Sequence, residues 1–264
     1  MAAAHHATLL DVSASIVLFR NPMEEVRAAV GSLLADGVAQ VFLVDNAPDD
    51  SPFAELASTF DRVTYIRSPG NVGYGAGHNQ AIRRCVGEYR YHVVCNPDIT
   101  FAPGVLPGLR AELERRPEVG LCMPRIVDAQ GVMQYLCKQL PRPFDLFGRR
   151  FLPRAWMAAR MRRFEMRECS YETEMSPPSL SGCFMFFRAS VLADVGGFDE
   201  RFFMYLEDVD ISRRASEVAC NLYFPGVSVT HGHAAGSYHN PRLLLAHVVS
   251  AVRYFNKWGW WPLA

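Results

Sequence analysis

The sequence has no surplus of either charge: 27 Lys and Arg balance 27 Asp and Glu. Proteins that neutralise a phosphate backbone carry a basic excess, so a chain-wide nucleic-acid footprint is excluded, although local patches are not. No run approaches the ~20 apolar residues of a membrane-spanning helix. Residues 1–11 have no basic stretch ahead of a hydrophobic run, so no secretory signal is read there. No two of the seven cysteines form a Cys-x-x-Cys. Cys95 and Cys122 stand in apolar stretches, and the odd set reads as small core hydrophobes in a reducing compartment, not as disulfides or a zinc site. Internal repeats and low-complexity linkers are also lacking. The expected location is therefore the cytosol, or a membrane surface reached from the cytosol.

What is present is enough apolar residue to build a large core: 50% of 264 residues are hydrophobic and 20% charged. At about 100–200 residues per domain, that length makes one large domain or two small ones. Segments 15–19, 41–44, 63–66, 91–95 and 119–123 are short, continuously apolar and rich in β-branched residues. Between them, 22–35, 73–85 and 103–115 carry apolar residues at helical spacing. Strands without polar alternation are covered on both faces, so the alternation predicts parallel strands sandwiched by helices. Ligands of such sheets sit at the carboxyl ends of the strands. Asp45-Asn46 and Asn96-Pro97-Asp98 end two of these strands, which places two polar clusters on one rim.

Beyond residue 125 the pattern changes. Residues 148–167 hold seven arginines against one acid, Glu165, with Phe151, Leu152, Trp156, Met157, Met161 and Phe164 interleaved. Residues 181–187 are a small-residue turn leading into an apolar strand, and Val229-Thr230-His231 ends another extended run. An apolar helix is predicted over 242–255, followed by Lys257-Trp258-Gly259-Trp260-Trp261. The simplest organisation is one continuous domain with a peripheral C-terminal half. The basic-aromatic segments read either as solvated or core-packed faces with snorkelling cations, or as surfaces resting on an anionic leaflet.

Several groups of residues could carry chemistry. The loop Asn71-Val72-Gly73-Tyr74-Gly75-Ala76-Gly77-His78-Asn79 precedes a helix; its glycines admit close backbone approach, and a helix N-terminus favours anions. It lacks the Gly-Lys-Ser/Thr of a Walker loop, and alone it is equally a plain loop. Asp98 is either a helix cap or an oxygen ligand for a hard divalent cation. Glu207, Asp208 and Asp210 follow Phe202, Phe203 and Tyr205. They are either helix acids complementing the dipole or a functional cluster, and the aromatic company favours the second. His231 ends an extended run beside small residues and is either structural or a ligand, with His233 and His239 as competitors.

Taken together and in order, Val44-Asp45-Asn46, the 71–79 loop, Asn96-Pro97-Asp98, Ser181-Gly182-Cys183-Phe184-Met185, Gly196-Gly197-Phe198-Asp199-Glu200 and Glu207-Asp208-Val209-Asp210 resemble glycosyltransferase family 2. The resemblance spans about residues 13–255. It is strongest to the rhamnosyltransferases of bacterial surface polysaccharide assembly. It implies an α/β fold of GT-A type, a Rossmann-like, mostly parallel sheet between helices with a peripheral C-terminal helical region. A nucleotide-sugar half would cover about 13–125, an acceptor and catalytic half about 126–240, and a helix with an aromatic tail about 241–264.

The resemblance also implies roles. Asp208 matches the catalytic base. Asp45 matches the acid that binds the pyrimidine, and Asn71 and Gly73 the loop beside the nucleotide. Asn46, His78, Asn79, Asn96, Glu207 and Asp210 complete the expected substrate-binding set. Asp98 matches the last acid of the DxD motif that holds the metal–diphosphate. Asn96 stands where the first acid would be, which leaves that position without a carboxylate. His231 matches a histidine near the metal. The implied cofactor is Mg²⁺ or Mn²⁺. The implied partners are a dTDP- or UDP-sugar and a saccharide acceptor, free or lipid-linked, met at the cytoplasmic face of the inner membrane. One carboxylate acting as base suffices for a single displacement, which predicts inversion. Two rivals stand beside this reading. A sugar-nucleotide nucleotidyltransferase would need a glycine-rich loop where Phe19-Arg20-Asn21-Pro22 stands. A non-catalytic nucleotide-sugar or carbohydrate binder would not need the 207–210 acids.

Overall fold

The computed structural model describes residues 10–49, 51–232 and 241–260. Its first half alternates as the apolar spacing predicts. β1 (Val12–Leu18) leads to α1 (Met23–Ala35), β2 (Gln40–Asp45), α2 (Phe53–Ser58), β3 (Val63–Arg67), α3 (Tyr74–Cys85) and β4 (Tyr91–Cys95). β5 (Ile99–Thr100), α4 (Val105–Arg115), β6 (Val119–Val127) and β7 (Cys137–Lys138) follow. Two helices, α5 (Pro143–Phe151) and α6 (Arg154–Phe164), then precede β8 (Ser179–Leu180), β9 (Phe184–Arg188) and α7 (Ala189–Val195). The chain ends through α8 (Glu207–Val218), β10 (Cys220–His231) and α9 (Pro241–Trp258).

Eight strands form one sheet in the order β3-β2-β1-β4-β9-β6-β10-β5. Every residue of β1 is buried, as expected of a central strand covered on both faces. The sheet is not all parallel. β1, β2, β3 and β4 pair in parallel, as do β6 and β10, but β9 is antiparallel to both β4 and β6, and β5 is antiparallel to β10. An apolar run such as Phe184–Phe187 satisfies either direction, so composition does not encode this inversion.

The inversion matters for the site. Because β9 starts where β4 ends, the turn before it lands on the ligand rim, where the Asn96 N–H donates to the Cys183 carbonyl at 2.9 Å. Because β10 ends against β5, His231 pairs with Ile99, next to Asp98. The C-terminal half is therefore not peripheral, since β9 and β10 lie inside the sheet. Among the described residues α9 packs away from the sheet, together with α5. Its Ala251, Tyr254 and Phe255 pack on Leu206 and Val209 around α8 and on Leu146 of α5, in a second apolar cluster.

Five cysteines are buried, while Cys169 and Cys220 are exposed and do not belong to the core. Among the described residues no helix is long and apolar enough to cross a membrane. His233, His239 and Trp261 lie outside the described residues, as do the side chains of Arg149, Arg150, Phe151 and Arg154.

Candidate active site

The glycine loop is shaped by what it must avoid. Gly73 has φ +92°, and a Cβ there would fall 2.2 Å from the Phe203 carbonyl oxygen, so no other residue fits without moving backbone. That carbonyl accepts the Tyr74 N–H at 2.9 Å, which ties the loop to the segment leading into α8. Asn71 Oδ1 accepts the Gly73 N–H, and Asn46 Nδ2 donates to the Gly73 carbonyl at 2.9 Å. Asn46 and Asn71 thus set the loop from both sides.

From this loop a line of hydrogen bonds crosses the rim. The Tyr74 hydroxyl lies 2.6 Å from the Gly182 carbonyl and 3.0 Å from Asn96 Oδ1, with its one proton shared between them. Gly182 N–H donates to Asp208 Oδ2 at 3.1 Å. A Cβ on Gly182 would stand 3.2 Å from that of Asp208, so glycine lets the Asp208 side chain sit against the turn. On the other side, Asn96 Nδ2 and Asp98 Oδ1 each lie 3.4 Å from His231 Nε2. Asp98, His231, Asn96, Tyr74, Gly182 and Asp208 are thereby one connected arrangement, assembled from the ends of β4 and β10, the turn between β8 and β9, and the starts of α3 and α8. Asn96, lacking a carboxylate, links the His231 side to the Asp208 side.

His231 is oriented by a residue that sequence reasoning did not find. Gln134 Nε2 donates to the His231 carbonyl at 3.1 Å, which fixes its amide orientation, and its Oε1 faces His231 Nδ1 at 2.9 Å. An amide oxygen only accepts, so Nδ1 carries a proton toward Gln134, and Nε2 faces Asp98. An imidazole nitrogen braced from behind and a carboxylate oxygen 3.4 Å from it are donor types that could hold a divalent cation. Among the described residues no third His, Cys, Asp or Glu joins them. A single Gln in a loop, 97 positions from its partner, carries no sequence signal. Tyr74 was equally hidden, because an aromatic at a helix start reads as core.

The three acids of α8 separate by environment. Asp208 is partly exposed and accepts the N–H groups of Gly182 and Val209. Glu207 is buried, and one of its oxygens has no partner. Burial and then the charge of Asp208 push the Glu207 carboxyl well above the usual carboxylate range. Asp210 is 0% exposed and bonds Arg214, Trp258 and Lys257 at 2.7–2.8 Å. It latches α9 onto α8 and does not reach the substrate rim, contrary to the sequence expectation.

Two further expectations are corrected. His78 lies in the core with its Nδ1 2.7 Å from Ser15 Oγ, and Ser15 and Ser13 also bond the two ring nitrogens of His92. Desolvation, and then mutual repulsion with His92, depresses the His78 pKa well below 6.5, so the ring is a neutral internal group. Asn79 donates to the Phe198 carbonyl and Glu200 and accepts the Phe198 N–H at 2.8 Å, which clasps the 196–200 turn onto α3. Helical spacing turns both side chains away from the ligand side of the loop. Asp45 does lie at the rim end of β2, but it is 1% exposed and engaged by the Tyr65 hydroxyl and the Ala47 N–H.

Comparison with known proteins accords with this geometry. The family model described as glycosyl transferase family 2 matches residues 15–196. N-acetylglucosaminyl-diphospho-decaprenol L-rhamnosyltransferase of Mycobacterium tuberculosis is 30% identical over 253 residues, covering 87% of this chain and 79% of the relative. Rhamnosyltransferase WbbL of Escherichia coli is 24% identical, with 92% of each chain covered. Among solved structures, GalNAc-T7 with UDP, GalNAc and Mn²⁺ superposes with a TM-score of 0.66 at 14% identity, over 92% of this chain and 48% of that one. The mannosyltransferase PcManGT of Pyrobaculum calidifontis, in complex with GDP-Man and Mn²⁺, gives 0.60 at 17% identity, over 93% and 65%. The chain thus spans about half the length of the first of these structures and shares its fold. The mixed eight-stranded sheet between helices is of GT-A type, and the chain belongs to glycosyl transferase family 2, a glycosyltransferase with rhamnosyltransferases among its relatives.

Proposed function

We propose that the chain transfers rhamnose from a dTDP- or UDP-linked donor to a hydroxyl of a saccharide carried on a lipid diphosphate, in cell-surface polysaccharide synthesis. The sugar and the acceptor class follow the two rhamnosyltransferase relatives, one of whose names specifies an N-acetylglucosaminyl-diphospho-decaprenol acceptor. The observation that carries the assignment is the separation of the α8 acids. Of Glu207, Asp208 and Asp210, only Asp208 is open to an incoming hydroxyl.

In the reaction, the acceptor oxygen bonds the anomeric carbon as the bond to the nucleoside diphosphate breaks. Asp208 takes the hydroxyl proton, and its orientation is set by the Gly182 and Val209 N–H groups. One base suffices for a single displacement, which inverts the anomeric centre. Burial of Glu207 favours its neutral form, which limits the negative charge beside Asp208. Asp98 and His231 Nε2 would hold Mg²⁺ or Mn²⁺, which when bound supplies Lewis-acid stabilisation of the leaving diphosphate. Asn71 and Gly73 shape the loop beside the nucleotide. Asp45, once Tyr65 yields, accepts the N3–H that thymine and uracil share. A donor screen scoring nucleoside diphosphate release tests the reading. Release of inorganic diphosphate, or no turnover of any nucleotide sugar, overturns it.

The acceptor class implies work at a membrane surface. In support, Leu245, Val248, Val249 and Val252 form an exposed apolar stripe along α9, with Leu245 64% exposed, and Trp156 on α6 is 76% exposed beside exposed Arg162 and Arg163. Apolar and aromatic groups among cations suit an anionic headgroup boundary. Co-sedimentation with anionic vesicles should fall with salt and with Leu245→Asp plus Val249→Asp. Absence of binding at any anionic-lipid content removes the membrane from the proposal.

A further inference from the structure

A cavity of about 800 Å³ lies away from the rim, between α5, α6 and the last turn of α9. Its walls carry Arg142, Arg160, Arg163 and Arg213 against two acids, Asp145 and Glu168. Asp145 is already engaged, by Arg160 Nε at 2.5 Å and by the Arg142 backbone N–H at 2.7 Å. The Arg213 guanidinium lies 4.0 Å over the Trp258 ring and 3.5 Å from the Tyr254 hydroxyl. Among the described residues none of Arg142, Arg163 and Arg213 has a carboxylate partner. The facing wall is aromatic: Tyr254, Phe255, Trp258 and Trp260.

Four guanidinium groups against two carboxylates leave the wall with an excess of positive charge. An anion with several oxygens offsets that excess, and the planar fork of Arg matches phosphate oxygens in particular. The aromatic wall asks for an apolar body attached to that anion. The required ligand is thus an amphiphile with a di- or monophosphate head and a hydrocarbon chain.

The position of the cavity says which substrate part this is. Pro178 lies in the cavity wall, and Gly182, four residues on, donates its N–H to Asp208. Four extended residues span at most about 14 Å. On α8, Arg213 lies five residues beyond Asp208, roughly 7.5 Å along the helix axis. Five residues also turn about 140° around the axis, so Arg213 opens toward α9 while Asp208 opens toward the rim, and the stretch from Pro178 to Gly182 is what joins the cavity to the base. We propose that this cavity binds the diphosphate and first isoprenoid units of the lipid-linked acceptor while its sugar reaches Asp208. The proposal rests on the acceptor class given above and adds the site that holds it.

The test uses the full chain and farnesyl diphosphate, a water-soluble probe that needs no bilayer, with binding followed by calorimetry and by tryptophan emission. Farnesyl diphosphate should bind about tenfold or more tighter than farnesol or inorganic diphosphate. Arg142→Ser with Arg163→Ser should weaken it about tenfold or more, a loss typical of charge-assisted contacts. Both side chains are exposed and without ion pairs, so folding should persist, as thermal unfolding would verify. Asp208→Asn should leave probe binding unchanged. Equal affinity for inorganic diphosphate, binding indifferent to the two arginines, or no probe binding overturns the proposal. Donor hydrolysis without acceptor, scored in parallel, reports on the transferase reading alone, so the two failures are distinguishable.

Discussion

Two carboxylates two positions apart on α8 stand in opposite surroundings. Asp208 stands at the open end of a line of hydrogen bonds that reaches from His231 through Asn96, Tyr74 and Gly182. Asp210 stands inside a sealed latch of Arg214, Lys257 and Trp258, and Lys257 continues it to Asp199. At 100° per residue the two side chains leave the helix about 200° apart, so one faces the sheet rim and the other faces α9. The lesson is that a family motif written as consecutive letters contains two regions with different physics. On the proposed function, groups at the open region act on rate, and groups in the sealed region act on stability.

The sharpest way to break this contrast is a pair of amides. Asp208→Asn should keep the fold and nucleotide binding and lose transfer by roughly 10²–10⁴-fold, since an amide cannot take the proton. Asp210→Asn should leave the per-molecule rate nearly intact but destabilise the chain by roughly 3–5 kcal/mol, because Lys257 and Arg214 lose their buried counter-charge. Turnover assays and urea unfolding on both variants decide the matter. A reversed pattern would move the base to Asp210.

Asp98→Ala should come next in size. It removes the one carboxylate of Asn96-Pro97-Asp98, so nucleotide binding in the presence of Mn²⁺ should weaken about tenfold or more, with little change in its absence. Wild-type activity in excess chelator would remove the metal from the reading. Gln134→Leu addresses the same ion from behind. Without the amide, His231 loses the partner that fixes its tautomer, and metal affinity should fall about 10–100-fold, as outer-shell substitutions do. Titration of Mn²⁺ binding reads this directly, without turnover.

These variants also mark what the sequence could and could not disclose. Apolar runs ending in Asp45 and Cys95 showed the strands and the rim, because a buried strand needs continuous hydrophobes and polar residues collect where it stops. They could not show that β9 is inverted, since Phe184–Phe187 pack the same way in either direction. That inversion is what delivers Gly182 to Asp208 and His231 to Asp98. Likewise His78 and Asn79 share a glycine-rich loop with Gly73 and look like site residues. Only the rotation of α3 shows that they point inward. Gln134 and the cavity arginines depend on contacts between residues far apart in the chain, which spacing alone cannot convey.

The smallest expected effect extends the contrast to a second sealed group. His78 and His92 are fully buried and joined through Ser15, with His92 pushed down to about 3 by desolvation and His78 also lowered. In the unfolded chain both titrate near the ordinary value of 6.5. Below that pH the unfolded state takes up protons that the folded state refuses, so stability is full above about 6.5 and declines as pH falls. Each pH unit below it costs about 1.4 kcal/mol for each histidine kept neutral. Between pH 7.5 and 5.5 the free energy of unfolding should therefore drop by roughly 1–3 kcal/mol. Urea midpoints at the two values measure it, and His92→Gln should flatten the dependence if the variant folds. An equal stability at both pH values would mean that the two rings accept protons in place. The buried polar pair would then belong with the open groups and not with the sealed ones.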